Sequence, residues 1–238
     1  MAEPALQLFA VEGIGEVREG DDLAVLLAGA LDAGPGLHDG DVLVVTSKIV
    51  AKAEGQLERL EGDVVAAKAA LVDRESVRVL RRRGELVISE TRHGYVCANA
   101  GIDLSNVEAG VAVLLPIDAD RSARRLRADL RRVMGVDAGV IISDTFGRAW
   151  RRGVTDVALG CAGMTAILDL RGTPDSNGRI LEATEICVVD ELASAADLVA
   201  GKASGVPAVV VRGVALALRG EGSVAVDVVR PPGEDLFR

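Results

Sequence analysis

The sequence predicts an α+β protein, or an irregular mixed α/β one, on three observations. Short apolar runs rich in Val, Ile and Leu end on turn-forming residues, as in Asp41 to Val45, Gly139 to Ile142 and Ala208 to Arg212. Charged stretches with helical spacing lie between such runs, as in Asp120 to Met134. The two kinds of element alternate without a clean βαβ rhythm. At 238 residues, with no internal repeat, low-complexity tract or clear linker, residues 1–238 read as a single module long enough to bury a real core.

Taken in order, Leu6 to Val11 alternates loosely and is a first strand. Glu12 to Val17 is a flexible glycine loop, without the third glycine or the following helix of a dinucleotide fingerprint. Asp21-Asp22 opens an amphipathic helix, placing acids where the helix dipole favours them. After the Asp39-Gly40 turn, the strand Asp41 to Val45 ends in Thr46-Ser47, with Lys52 a helical turn further on. Asp63 to Arg83 is helical in pattern and reads as a solvated connector face, and Glu85 to Ser89 as a strand. His93 to Cys97 leads into a small-residue loop, Ala98 to Asn106, followed by a strand from Val111 to Pro116. The helix from Asp120 to Met134 carries six arginines, mostly exposed and paired with acids.

Gly139 to Ile142 is a buried strand that ends abruptly on Ser143-Asp144-Thr145. Gly147 permits a sharp turn, Arg148, Arg151 and Arg152 follow, and a small-residue helix closes the stretch. Beyond the turn-rich Thr173 to Gly178, Thr184-Glu185 opens a strand and Asp190 to Gly201 is a helix closed by glycine. Strands Ala208 to Arg212 and Ser223 to Val229 complete the core.

Composition narrows the function. Hydrophobic residues make up 49% of the chain but aromatics only 2%, so the core is aliphatic and few rings are available to stack on nucleobases. A formal charge of −9 and the absence of a basic tract remove the general phosphate attraction of a nucleic-acid binder. A polyanionic ligand therefore needs a local basic pocket. The amino-terminal residues lack the basic start of a secretory signal, and the longest apolar candidate for a membrane span, from Val206, is cut by Arg212. Cys97, Cys161 and Cys187 lie far apart without a CxxC pair, which reads as buried, reduced thiols in a cytoplasmic protein. With only His38 and His93, a histidine-built zinc site is disfavoured. Gly201-Lys202-Ala203 imitates the end of a phosphate loop, but Ala196 and Ala203 stand where glycine and a hydroxyl residue belong.

Three places at the ends of apolar runs carry candidate chemistry. Ser47 and Lys52 pair a hydroxyl with an ammonium and suit a phosphate; the alternative is an ordinary helix cap and a solvated lysine. Asp103 and Asn106 offer an oxygen ligand and a base-recognising amide; the alternative is an Asx turn. Asp144 and Thr145 offer hard oxygens for a metal, beside arginines for an anion; the alternative is a capped turn. Together they supply a metal-assisted nucleotide site without a phosphate loop, and all-oxygen ligands favour magnesium or manganese over zinc.

Those residues stand within ordered blocks: VEGIGEV with EGDDL, DGDVLVVTSKIVAKAEG, CANAGIDLSN, ISDTFGRAWRRGVTD, Thr184-Glu185, DELASAADLVAGK, VPAVVVRG and a closing RPPGEDLF. In these, over nearly its whole length, the chain resembles the coenzyme F420:L-glutamate ligases (F420-0:gamma-glutamyl ligases). It resembles especially the ligase half of bacterial proteins in which a nitroreductase-like domain follows, so a free-standing form or an excised domain is expected. The resemblance implies an F420 ligase-like α+β fold of two intertwined lobes, a cytoplasmic homodimer, and no nucleic-acid or membrane partner. It implies GTP, L-glutamate and the deazaflavin precursor F420-0 as substrates, with two divalent ions, Mg2+ or Mn2+, and K+ as a further candidate.

By position, the resemblance implies that Ile14, Gly15, Glu16 and Val17 line the guanine nucleotide through backbone groups. Ser47 and Lys52 would meet its phosphates, and Asn106 would touch the nucleotide. Asp103 and Asp144 would hold one divalent ion, and Thr145 would help hold a second. Lys202 falls where archaeal members use a glutamine, and a protonated lysine cannot ligate that second ion. We expect the catalytic group to be Asp144, Asp103, Lys52 and Arg148, with Arg148, Arg151 or Arg152 holding anionic carboxylates and Glu185 a candidate base. The competing readings are a metal-dependent nucleotide kinase or phosphatase, which would not need glutamate, and a nucleotide-sensing module without catalysis.

Overall fold

Alternation along three apolar strands sets the architecture in the computed structural model, which describes residues 5–202, 204–215 and 218–235. Ala203, in the glycine loop, and Leu236 and Phe237, in the closing block, lie outside the described residues, as do residues 1–4. The strands are β1 (Gln7–Val11), β2 (Val42–Thr46), β3 (Leu57–Arg59), β4 (Ser76–Arg83), β5 (Leu86–Thr91) and β6 (Val96–Ala98). They continue with β7 (Val111–Val113), β8 (Gly139–Gly147), β9 (Val154–Ala162), β10 (Ile167–Asp169), β11 (Glu185–Cys187) and β12 (Ala208–Arg212). The helices are α1 (Leu23–Ala33), α2 (Ser47–Ala53), α3 (Val64–Glu75), α4 (Ala119–Met134) and α5 (Val188–Ala200).

The main sheet has the order β1-β12-β2-β8-β9. Strands β2 and β8 run parallel, and the other neighbours pair antiparallel. Leu43, Val45, Val140, Ile142 and Val210 face one way, onto Leu27 and Leu31 of α1 and Leu126 and Leu130 of α4. Val42, Val44, Ile141, Val209 and Val211 face the other, onto Val189 and Leu192 of α5. Because both faces are covered, these strands read as unbroken apolar runs. A smaller body forms from the pair β3-β7, the sheet β4-β5-β6 and α3, around Leu71, Val72, Val87, Ile102 and Ala112. The mixed helices and sheets make this the α+β fold that the sequence predicts.

Side-chain oxygens cap α1, α3 and α4, while α2 and α5 have no side-chain cap. Asp22 accepts from Ala24 and Val25 N–H, Asp63 from Val65 and Asp118 from Arg121. α4 is closed by Gly135 in the left-handed region.

Three expectations are corrected. After Arg152 the chain forms β9 rather than a helix, and the turn falls on Trp150 (φ 57°) and Gly153 (φ 84°), since Gly147 still pairs with Val154. The small residues of β9 serve packing: a Cβ on Gly160 would lie 2.2 Å from the Ala119 carbonyl carbon, where α4 begins. The helix expected over Asp63 to Arg83 stops at Glu75 and is followed by β4, whose Ser76-Val77-Arg78-Val79 run favours a pleated edge. The expected strand from Ser223 to Val229 is a wide helical turn over Val224–Val228. Asp120, 4% exposed, fixes that turn by accepting from Val224 and Ala225 N–H and from the Ser223 hydroxyl, while also holding Cys161 N–H of β9.

Candidate active site

Parallel β2 and β8 pair as far as Thr46 opposite Ser143, where β2 ends and β8 runs on to Gly147, so the start of α2 and the Asp144-Thr145 stretch of β8 lie side by side. A cavity of about 420 Å3 opens there. It is lined by Ile14, Gly15, Glu16 and Val17 from the first glycine loop, Lys52 from α2, Asp103 and Asn106 from the loop before β7, and Asp144 and Thr145 from β8. A second cleft of about 890 Å3 shares Glu16, Val17, Lys52 and Asn106 with it. Ser47 is buried under the start of α2 and does not line the cavity, although Thr46 and Lys48 do. Arg148 is exposed at the tip of the β8-β9 hairpin, outside the lining. Glu185 also lies elsewhere, on the β10-β11 hairpin, 3.2 Å from Arg171.

Local backbone geometry shapes the corner. Between Ile142 and Ser143 the β8-β9 register shifts, so that Gly160 and Ala158 pair with successive residues and Leu159 is extra. Such a bulge re-aims side chains at a strand end. The loop to Asp103 turns through left-handed Asn99, Ala100 and Gly101 (φ 51°, 52° and 73°). A side chain on Gly101 would collide with Leu115. Asp103 is then pinned by backbone bonds to Val113 in both directions.

Two carboxylates that the sequence reading passed over complete the cavity, Asp156 of β9 and Asp197 of α5. Asp156 stands opposite Thr145 and accepts the Thr145 hydroxyl at 2.7 Å and the Ser143 hydroxyl at 2.9 Å. It would have been legible had Val154 to Ala162 been read as a strand returning along β8. Lys48, also passed over, lies 2.7 Å from Asp103. It precedes Lys52 by four residues on α2, which puts both ammonium groups on one helix face. Lys52, 5% exposed, donates to Glu16 at 2.5 Å and to the Asn106 carbonyl at 2.8 Å. Lys202 Nζ donates to Thr145 Oγ1 at 2.5 Å.

The electrostatics separate the two acids expected at the metal. Burial pushes the Asp144 carboxyl up to about 7, against the Thr145 N–H and Lys202, with Asp156 and Asp103 pushing it up further. Burial also pushes Asp103 up, but the Lys48 ammonium and two bonds from Ser105 outweigh it and hold that carboxyl below its ordinary value. The bond from Ser105 N–H to Asp103 is an Asx turn, so the bland alternative and the cavity position hold together. Burial raises Asp197, and Asp156 adds to it. The three cysteines are free, and burial pushes each thiol up to about 12, as befits inert packing residues.

The model of the F420-0:Gamma-glutamyl ligase family matches residues 13–213. The chain is 44% identical to the coenzyme F420:L-glutamate ligase of Methanothermobacter thermautotrophicus, over 98% of this chain and 99% of that one. It is 42% identical to the ligase of the same name from Methanopyrus kandleri, over 99% and 98%. A third, from Methanocaldococcus jannaschii, is 34% identical over 85% and 86%. The chain belongs to the F420-0:gamma-glutamyl ligase family. It is thus a member of an enzyme family, and the cavity at the ends of β2 and β8 is the candidate centre of this ligase fold.

The donor set suits a hard divalent ion. Asp103, Asp144 and Thr145 present oxygens only. Among the described residues, no three Asp, Glu, His or Cys side chains stand close enough to hold a metal ion unaided. Such a site fits an ion of the magnesium type, which keeps part of its water and takes one or two carboxylates plus substrate phosphates. At Asp144 the incoming ion would displace a proton. Among the described residues no helix is long and apolar enough to cross a membrane.

Proposed function

We propose that this member of the family adds L-glutamate to the deazaflavin precursor F420-0, using GTP and a divalent ion, Mg2+ or Mn2+, through an acyl phosphate. The observation that carries the reading is the meeting in one cavity of Asp103, Asp144 and Thr145 with Lys48, Lys52 and Lys202. Hard oxygens and ammonium groups together are what a triphosphate requires, and the names of the relatives supply the acceptor and the amino acid. The cytoplasmic homodimer that the family resemblance implies is part of the same proposal.

A carboxylate is a poor acyl donor because direct amide formation would expel oxide. Transfer of the γ-phosphoryl group from GTP to the acceptor's carboxylate oxygen releases GDP and turns that oxygen into part of a phosphate leaving group. The amine of glutamate then attacks the acyl carbon; the C–N bond forms, phosphate departs and the amine loses its proton. A bound divalent ion would neutralise charge on the phosphates during transfer. Lys52 is already buried and oriented, so little ordering is needed when it meets a phosphate oxygen. Glu16, Val17 and Asn106 border both the cavity and the larger cleft, which gives the nucleotide room to extend. Arg148, Arg151 and Arg152, on the hairpin beyond Thr145, are available to the anionic acceptor.

The test is incubation of purified protein with GTP, Mn2+, glutamate and F420-0, followed by the mass of the product and assay of GDP. One added glutamate per GDP supports the reading. GDP formed equally without glutamate would favour a phosphatase instead. Asp144→Asn should abolish product while the melting curve stays cooperative.

A further inference from the structure

Lys202 reaches the cavity from the turn that ends α5, where Gly201 (φ 61°) swings the chain back towards β8. Its ammonium donates to Thr145 Oγ1 at 2.5 Å, and the same hydroxyl donates onward to Asp156 at 2.7 Å. The hydroxyl's proton and one of its lone pairs are therefore already used. Among the described residues no carboxylate lies within ion-pair distance of Lys202, yet Asp144, Asp156 and Asp197 line the same cavity. The ammonium so stands within an acidic corner without being neutralised by any one acid.

We propose that Lys202 is a tethered cation of this site, occupying the Thr145 corner in place of a second divalent ion. The chain then works with a single divalent ion on the Asp103–Asp144 side, and the Lys202 ammonium supplies the second positive charge to the terminal phosphate of the nucleotide. This rests on the GTP and metal reading above and sharpens it. A divalent ion on the remaining lone pair of Thr145 Oγ1 would share a neutral oxygen with an ammonium and meet its repulsion there, whereas the Lys48 ammonium on Asp103 is offset by that carboxylate's own charge. A protonated lysine has no lone pair to offer the ion in return.

Counting bound Mn2+ per chain by electron paramagnetic resonance, with a non-hydrolysable GTP analogue present, tests this. The wild type should hold one ion, and Lys202→Arg, which keeps the charge, should also hold one. Lys202→Gln removes the charge and offers an amide oxygen beside Thr145, and should hold two, with unchanged melting because Lys202 is exposed. Two ions in the wild type, or one ion in Lys202→Gln, would overturn the proposal. No ion in any of the three would overturn it as well. Glutamate ligation by the same wild-type preparation, assayed by product mass, decides separately whether the ligase reading stands.

Discussion

Asp156 shows how one unremarked carboxylate can govern a site. It takes the hydroxyl protons of Ser143 and Thr145 on its two oxygens, so it fixes the rotamers of both side chains at the end of β8. Asp156→Asn keeps the volume but replaces one acceptor with a donor, so one of those hydroxyls loses its partner. A lost hydrogen bond to a charged group costs about 1.5–3 kcal/mol. If the cost falls on the transition state, turnover should drop by roughly 10- to 150-fold, with the melting temperature within a few degrees of wild type. Wild-type turnover by Asp156→Asn would remove Asp156 from the site. His93 makes a different prediction, about pH. Its ring stacks on Tyr95 with centroids 5.5 Å apart, its Nε2 meets the Ile117 carbonyl, and its buried Nδ1 has no hydrogen-bond partner among the described residues. Burial, aided by Arg92, lowers its pKa from 6.5. The folded state therefore prefers the neutral ring, and the stability this brings is fully present above 6.5 and lost as pH falls through the lowered value. In urea titrations between pH 5 and 8, His93→Phe should flatten the acid side of the profile; an unchanged acid slope would acquit His93.

At the scale of elements, the β8-β9 hairpin is the part on which the site depends most. Its far end is clamped by α4, whose first residues press on Gly160 so closely that a methyl group would meet backbone rather than a movable side chain. Gly160→Ala should cost about 1–3 kcal/mol by overpacking, read as a lower urea midpoint at constant slope. It should also depress activity more than that loss of stability alone explains, because β9 carries Asp156 a few residues away. Activity unaltered in a destabilised variant would show that the two ends of β9 are independent. The same hairpin marks where the sequence was legible and where it was not. Val42 to Val45, Gly139 to Ile142 and Ala208 to Arg212 announce themselves because helices cover both faces and demand unbroken apolar runs. β9 does not, because Gly160, Ala158 and Ala162 are small to suit the helices packed on it, and small residues also suit a helix. In β4, alternating Val and Arg on an exposed edge imitates a charged helix until its pairing with β5 is known.

On the scale of the whole molecule, the candidate site belongs to no single segment. Asp144 and Thr145 could be singled out in the sequence as polar residues at the end of an apolar run, and Asp103 as an acid in a small-residue loop. Lys48, Asp156 and Asp197 are harder to single out, because Asp156 depends on the register of β9 against β8, Asp197 on the approach of α5, and Lys48 on the Asp103 loop that it meets. Stretches from the first glycine loop, α2, the Asp103 loop, the β8-β9 hairpin and the end of α5 all face the same space. A ligand that touches them all binds the folded chain and has nothing comparable to bind in the unfolded one, so it must stabilise the whole. At a hundredfold excess over its Kd, Mn2+ with a non-hydrolysable GTP analogue should contribute about 2.7 kcal/mol. For a chain of this size that corresponds to a rise in Tm of roughly 5–10 °C. Asp103→Asn and Asp144→Asn should each lose most of the part of that rise that depends on Mn2+, since each removes one of the carboxylates offered to the ion. Lys52→Met should lose the nucleotide part instead, because the role proposed for Lys52 is at the phosphates and not at the metal. A Tm that is indifferent to Mn2+ and nucleotide together would mean that the cavity is not where the triphosphate goes, however well its charges suit one.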